Sequence, residues 1–175
     1  MISRRVCATL DDAGVLYTVI GAVAVAARGF SRFTADFDLF TADRAVFQPA
    51  LWKMLEADGI PVQINKGDFD DPIGGVVRIG PKTEQVDVVV AKWKWELEVI
   101  RRAEPMPVET LQLRVPLTSD LILLKLAAGG YKDRVDAYNL LKIGPREQLI
   151  AEVDSRIADL RPDAQAEWQK LRAEA

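Results

Sequence analysis

The segment 85–90, with the sequence QVDVVV, restricts the fold of this chain more than any other part of it. Valine is β-branched and favours strands, and a run that is apolar on both faces is typical of a central strand covered by helices. Amphipathic helical patterns flank this run, so we expect an α/β protein with a mixed central sheet. Asp87 is the exception within the run, because a carboxylate buried among valines is costly unless it is paired, hydrogen-bonded or bound to a metal. A structural salt bridge is the alternative explanation for it.

The composition removes several kinds of chemistry. The chain has 175 residues, one cysteine and no histidine, and its 23 basic and 26 acidic side chains give a net charge of −3 at pH 7. Catalytic systems that need an imidazole and His-ligated zinc are therefore excluded, and acid–base or metal chemistry must use carboxylates, lysines or hydroxyls. A single cysteine excludes an internal disulfide. The length suits one sizeable core, and we expect one domain over 1–175.

The charge and hydropathy also predict where the protein works and what it binds. A pI near 5.1 argues against a general binder of nucleic acid, which needs a basic excess to neutralise phosphates. No stretch is apolar enough for a membrane span, and charges interrupt the region where a signal peptide would be apolar. We expect a cytoplasmic protein with no membrane partner.

A strand, a glycine turn and a short helix are predicted near the N-terminus, over 15–20, Gly21 and 22–28. Residues 36–40 alternate acidic and apolar side chains with period two, which predicts a half-buried strand with Asp36 and Asp38 on one face. The pattern then predicts an amphipathic helix over 43–58, a hairpin of strands 60–64 and 75–79, a helix over 92–102, an extended piece over 111–115, and helices over 121–128, 132–142, 146–160 and 162–173.

These elements suggest a site for a phosphate and a hard cation. The first turn of a helix offers unpaired backbone N–H groups to an anion, and paired carboxylates suit a cation that prefers oxygen ligands. If the strand of Asp87 lies beside that of Asp36 and Asp38, three carboxylates meet near the Gly21 turn. That arrangement is used for metal-assisted phosphoryl or nucleotidyl transfer, with Asp87 as the natural general base. Taken alone, Gly21 is more often a plain turn residue and the acidic pair a solvated strand end.

Two stretches, YTVIGAVA at 17–24 and GFSRFTADFDL at 29–39, resemble the signature of minimal nucleotidyltransferases of the DNA polymerase beta superfamily, especially the AbiEii-type toxins. That signature has a glycine turn, a small helix, an Arg-x-Thr-x-Asp-x-Asp strand and a third Asp in a later apolar strand, the position of Asp87. The region around Lys125 and the segment KDRVD at 132–136 resemble two downstream helices of the family. The resemblance implies a nucleotidyltransferase fold, with a core over about 1–115 and a helical C-terminal part over about 116–175.

The resemblance also implies roles for individual residues. Asp36, Asp38 and Asp87 would be catalytic and would hold Mg²⁺ or Mn²⁺. The nucleotide-binding positions would be Gly21, Ala22, Arg32, Thr34, Lys125 and Asp136. For Lys125 the alternative is a helix lysine that reaches solvent, and for Asp136 it is a surface pair with Lys132.

The function implied is transfer of a nucleoside monophosphate from an NTP to a hydroxyl, an EC 2.7.7 type of reaction. The acceptor is a tRNA end, a protein or a small molecule, and the protein is a candidate toxin with an antitoxin partner. Ala22 keeps a second hypothesis open, because relatives often have Ser or Gly there: a catalytically weak or inactive member that binds a nucleotide or a partner. A manganese-dependent glycosyltransferase that uses the Asp-x-Asp pair is a third.

Overall fold

The computed structural model describes residues 1–30, 36–108 and 110–175. Arg32 and Thr34, both predicted to bind nucleotide, lie outside the described residues. The helices are α1 (Ile2–Asp12), α2 (Gly21–Ala27), α3 (Pro49–Ala57), α4 (Lys94–Arg102), α5 (Thr118–Ala128), α6 (Tyr131–Ile143), α7 (Arg146–Asp154) and α8 (Pro162–Glu174). The strands are β1 (Tyr17–Ile20), β2 (Phe37–Thr41), β3 (Val62–Lys66), β4 (Gly75–Ile79), β5 (Val86–Val90), β6 (Glu104–Val108) and β7 (Leu111–Val115).

The main sheet has five strands in the order β1-β2-β5-β4-β3. β2 and β5 run parallel, and the other neighbouring pairs run antiparallel. The valine-rich strand β5 lies in the middle, as its two apolar faces require. The predicted mixed central sheet with flanking helices is confirmed.

The two faces of this sheet differ in exposure. Side chains alternate between the faces of a strand, and Leu39, Val77 and Val88 on one face are fully buried. The opposite face carries Asp38 and Asp87, which are half-buried, and Arg78, which is exposed. One face of the sheet therefore belongs to the core, whereas the other is polar at the level of Asp38 and Asp87 and apolar at the next level, where Phe40 is buried.

The C-terminal helices pack around α5, which contacts α6, α7 and α8. The buried residues form one hydrophobic cluster that includes both Val88 of the sheet and Leu140 of α6. The fully buried Asp120 of α5 accepts hydrogen bonds from Arg102 of α4, at 2.8 Å, and from Arg156 beyond α7. Ion pairs thus join α4 to the helical part. Among the described helices, none is long and apolar enough to cross a membrane.

Prolines explain two places where the sequence prediction was wrong. The single helix predicted over 43–58 is instead a short 3-10 helix, Arg44–Phe47, followed by α3. Pro49 begins α3 and disfavours helical geometry at Gln48, which is extended at φ −82° and ψ 117°. The strand β6 was missed because Pro105 and Pro107 are rare in strands, but they are tolerated in this two-stranded sheet with β7.

Candidate active site

Asp38 and Asp87 lie side by side on the partly open face of the sheet. They are register partners in the parallel pair of β2 and β5. Neighbouring strands are about 4.8 Å apart, so two carboxylates at the same level reach the same small volume. The sequence left open whether the strand of Asp87 adjoins that of Asp38, and the structure shows that it does.

Gly21 closes this site on the side of β1. It follows β1 and begins α2, with φ at +67°, a conformation that favours glycine. A Cβ atom at this position would lie 2.2 Å from Oδ2 of Asp38, far inside van der Waals contact. The glycine is therefore needed both for the turn and for the close approach of the Asp38 carboxylate.

Two further side chains contact Asp87. Nε2 of Gln85 donates a hydrogen bond of 2.7 Å to Oδ1 of Asp87. Nε of Arg78, which faces Asp87 across β4 and β5, lies 3.7 Å from Oδ2. Neither residue was predicted from the sequence. A signal was present for Arg78, because it is a charge within an apolar strand, as Asp87 is, and for Gln85, because residues two apart on a strand share a face.

Asp36 is exposed and lies one residue before β2 begins. Within the described residues, no group of three or more acidic or cysteine side chains could hold a metal ion. The pair of Asp38 and Asp87 still fits Mg²⁺ or Mn²⁺ chemically, because these hard cations take carboxylate oxygens and complete their coordination with water and substrate phosphate. A metal-binding role for Asp36 stays a prediction.

Ala22, the second residue of α2, is buried with 4% of its surface exposed. Its methyl group packs into the protein. Only its backbone is therefore suited to the phosphate contact that the sequence predicted, because the side chain carries no polar atom.

Lys125 and Asp136 form an ion-pair cluster between α5 and α6. The ammonium group of Lys125 lies 2.8 Å from Oδ1 of Asp133 and 2.9 Å from Oδ2 of Asp136, which is fully buried. Asp136 therefore pairs with Lys125, so the surface pair with Lys132 is not the explanation for it. Within the described part of the chain, the ion pairs of Lys125 are with these two carboxylates and not with Asp38 or Asp87. Lys125 also lines a cavity of about 570 Å³ beside α8.

Comparison of the whole fold with solved structures finds several similar chains, among them two structures of one protein. The solution structure of the antibiotic-resistance factor ANT(2'')-Ia has a TM-score of 0.57 and 20% identity over 89% of this chain and 90% of that chain. The crystal structure of ANT(2")-Ia in complex with adenylyl-2"-tobramycin has a TM-score of 0.58 and 18% identity over 90% of this chain and 95% of that chain.

The chain has the nucleotidyltransferase fold. This confirms the fold that the sequence resemblance implied, and the likeness covers about nine-tenths of the chain, so it extends beyond the main sheet. No protein-family model matches the sequence, and no curated protein matches it either. At 18–20% identity this likeness shows the fold and not the activity.

Proposed function

We propose that this protein is a metal-dependent nucleotidyltransferase that moves a nucleoside monophosphate from an NTP to an acceptor hydroxyl. The observation that carries the proposal is the pairing of Asp38 with Asp87 on the partly open sheet face, directly beside the Gly21 turn. Paired carboxylates next to the first turn of a helix, whose leading backbone N–H groups have no acceptor within the helix, provide what a metal-bound triphosphate requires. The nucleotidyltransferase fold supports the same reaction class.

The residues would act as follows. The backbone of Gly21 and Ala22 would bind the triphosphate, and Asp38 and Asp87, together with Asp36, would hold Mg²⁺ or Mn²⁺. The bound metal would supply charge neutralisation and alignment of the phosphates. Asp87 accepts the proton of the acceptor hydroxyl, whose oxygen attacks the α-phosphorus in line while pyrophosphate leaves. Gln85 fixes the orientation of Asp87 through its 2.7 Å hydrogen bond.

The remaining predicted residues belong to the nucleotide-binding part of the proposal. Arg32 and Thr34 follow from the sequence resemblance alone. The ammonium group of Lys125 has three N–H donors, and the two carboxylates at 2.8 and 2.9 Å use two of them, so one donor remains for a phosphate. Asp136 then acts through Lys125 rather than by contact with the nucleotide.

The acceptor is a tRNA end, a protein or a small molecule, and each is an arm of the test. The ANT(2")-Ia structure contains adenylyl-2"-tobramycin, so an aminoglycoside belongs among the small molecules tried. The proposed toxin role, with an antitoxin partner, rests on the resemblance to AbiEii-type proteins. Growth arrest on expression of the protein, absent in Asp87→Asn, tests it.

The experiment is a transfer assay with NTPs labelled on either the α- or the γ-phosphate, with Mg²⁺ or Mn²⁺ and each acceptor class. We expect the α-label to move to an acceptor and the γ-label to leave in pyrophosphate. Asp38→Asn and Asp87→Asn abolish both, whereas Asp70→Asn, in an exposed loop, does not. No transfer and no pyrophosphate release with any NTP would refute the proposal.

A second candidate function is nucleotide binding without transfer. It is favoured by the absence of a three-carboxylate group in the described part of the chain and by the buried methyl group of Ala22. Metal-dependent NTP binding that Asp38→Asn and Asp87→Asn both abolish, without any turnover, would support this candidate over the enzyme.

A further inference from the structure

A row of side chains crosses the sheet at the level of the two carboxylates. Ile20 is the register partner of Asp38, Asp38 of Asp87, Asp87 of Arg78, and Arg78 of Gln63. Register partners on neighbouring strands lie on the same face of a sheet. The row of polar side chains therefore extends beyond Asp87 across β4 to the edge strand β3.

Arg78 is placed to bind a ligand next to Asp87. Its side chain is 48% exposed, and among the described residues Asp87 is its ion-pair partner, through Nε at 3.7 Å. A contact at this distance is looser than a bidentate pair, in which two guanidinium nitrogens bond two carboxylate oxygens. The planar guanidinium therefore keeps hydrogen-bonding capacity for a further anion.

Gln63 continues the polar surface at the sheet edge. It is exposed, and its Nε2 lies 3.4 Å from Oδ1 of Asn65, two residues along the same face. An amide that is held by a neighbour and still faces solvent offers both a donor and an acceptor to a bound molecule.

The order of the strands assigns the two substrates to opposite sides of the carboxylates. This step rests on the proposed nucleotidyl transfer, in which the triphosphate binds at the Gly21 turn, on the β1 side of Asp38. In-line attack requires the acceptor oxygen to approach from the side opposite the leaving pyrophosphate. Asp87, which takes the hydroxyl proton, separates Asp38 from Arg78, so the acceptor side is the β4 side.

We propose that Arg78 and Gln63 bind the acceptor, and that the acceptor carries a phosphate group next to the hydroxyl that receives the nucleotide. Arginine binds phosphate with paired, charge-assisted hydrogen bonds, and the amide of Gln63 accepts or donates to the neighbouring sugar or base. A polycation would meet like charge at Arg78. The phosphate can belong to an RNA end or to a small phosphorylated sugar.

The test measures binding, so it does not depend on turnover. The non-hydrolysable NTP analogue that binds the wild-type protein with Mg²⁺ is first identified by titration calorimetry. In that complex, three probes are then compared: a short single-stranded RNA with a free 3′ hydroxyl, ribose 5-phosphate, and tobramycin. We expect the RNA or ribose 5-phosphate to bind more tightly than tobramycin, and the stronger of the two identifies the source of the phosphate.

Variants assign that binding to Arg78. Arg78→Ala should weaken binding of the phosphate-bearing probe about fivefold to tenfold, which is the effect of losing a charge-assisted hydrogen bond at a half-exposed site. Arg78→Lys should restore part of the lost affinity. Affinity for the NTP analogue should stay within about twofold, because a single exposed charge on the far side of Asp87 contributes little there. Arg101→Ala, an exposed arginine paired with Glu98 on α4, is the matched control and should change neither affinity.

Four outcomes contradict this inference. The first two are tighter binding of tobramycin than of both phosphate probes, and no binding of either phosphate probe. The third is equal affinity of the probe for Arg78→Ala and for the wild type. The fourth is weaker binding of the NTP analogue, instead of the probe, by Arg78→Ala, which would make the arginine a positioning residue for Asp87. Failure of the wild type to bind any NTP analogue is distinct, since it refutes the proposed function and this inference with it.

Discussion

Replacing Gly21 with alanine, and comparing it with the same change at Gly14, distinguishes an effect on the stability of the fold from an effect on the geometry of the candidate site. Gly21 has φ +67°, and Gly14 has φ +68° with no atom within 4 Å of the position that a Cβ would take. The two alanine variants therefore carry the same backbone cost, about 1–2 kcal/mol for a non-glycine residue in the left-handed region. At about 2–4 °C per kcal/mol for a chain of this size, each should lower Tm by about 2–8 °C.

The two variants differ in what the new methyl group meets. In Gly21→Ala it would lie 2.2 Å from Oδ2 of Asp38, whereas real Cβ contacts essentially never fall under 3.0 Å. The carboxylate is the flexible end of its side chain, so it can turn away at little cost in stability, but it must move by close to 1 Å. A misplacement of about 1 Å at a reacting centre costs about 100-fold in rate.

The assay pairs thermal denaturation with Mg²⁺-dependent binding and transfer of labelled NTP. We expect similar Tm values for Gly14→Ala and Gly21→Ala, full nucleotide binding only in Gly14→Ala, and a loss of transfer of about 100-fold only in Gly21→Ala. If Gly21→Ala binds and transfers nucleotide as well as Gly14→Ala does, the position of Asp38 beside the turn has no role in the reaction and the reasoning is refuted.

Buried charges give three further predictions. Asp120→Asn leaves two arginines without their buried carboxylate and should lower the free energy of unfolding, measured by urea denaturation, by about 3 kcal/mol. This is the low end for a broken buried pair, because both arginines keep some contact with solvent. Glu98→Gln, which breaks an exposed pair, should lower it by under about 0.5 kcal/mol. Lys125→Met removes an ion pair of the fully buried Asp136 and should destabilise the fold by about 3 kcal/mol, and an unchanged melting curve would contradict the role of that cluster. Burial raises the pKa of Glu96 above its ordinary value of 4.5, despite hydrogen bonds from two backbone N–H groups. The folded state therefore binds the carboxyl proton of Glu96 more tightly than the unfolded state does, so the stability from this proton is complete below pH 4.5 and is lost as pH rises through the raised pKa. Glu96→Gln should remove that part of the pH dependence of stability. Parallel curves of stability against pH for the variant and the wild type would contradict this prediction.

Local patterns were enough to predict the main sheet and its carboxylates. The valine run predicted the central strand β5, because a strand buried on both faces must be apolar on both. The alternation at 36–40 predicted β2, although the strand begins one residue later, at Phe37. Asp87 stood out as a charge in an apolar strand, and the structure places it beside Asp38.

Other parts of the site depend on register and tertiary packing, which local patterns do not specify. The contact of Arg78 with Asp87 depends on the alignment of β4 with β5. The ion pair of Lys125 with Asp136 depends on how α5 packs against α6, and helical spacing alone suggested Lys132 as the partner. Proline effects were present in the sequence, but the amphipathic pattern over 43–58 outweighed Pro49 in the prediction.

If Asp38 and Asp87 form one site for a metal-bound nucleotide, a double-mutant cycle will show that their contributions to binding are coupled. Mg²⁺-dependent binding of a non-hydrolysable NTP analogue is measured by calorimetry for the wild type, Asp38→Asn, Asp87→Asn and the double variant. Because the two carboxylates would act on the same bound ion, we predict that each single change weakens binding at least about tenfold and that the double variant is little worse than the weaker single one. Additive losses, or wild-type affinity in either single variant, would contradict the account.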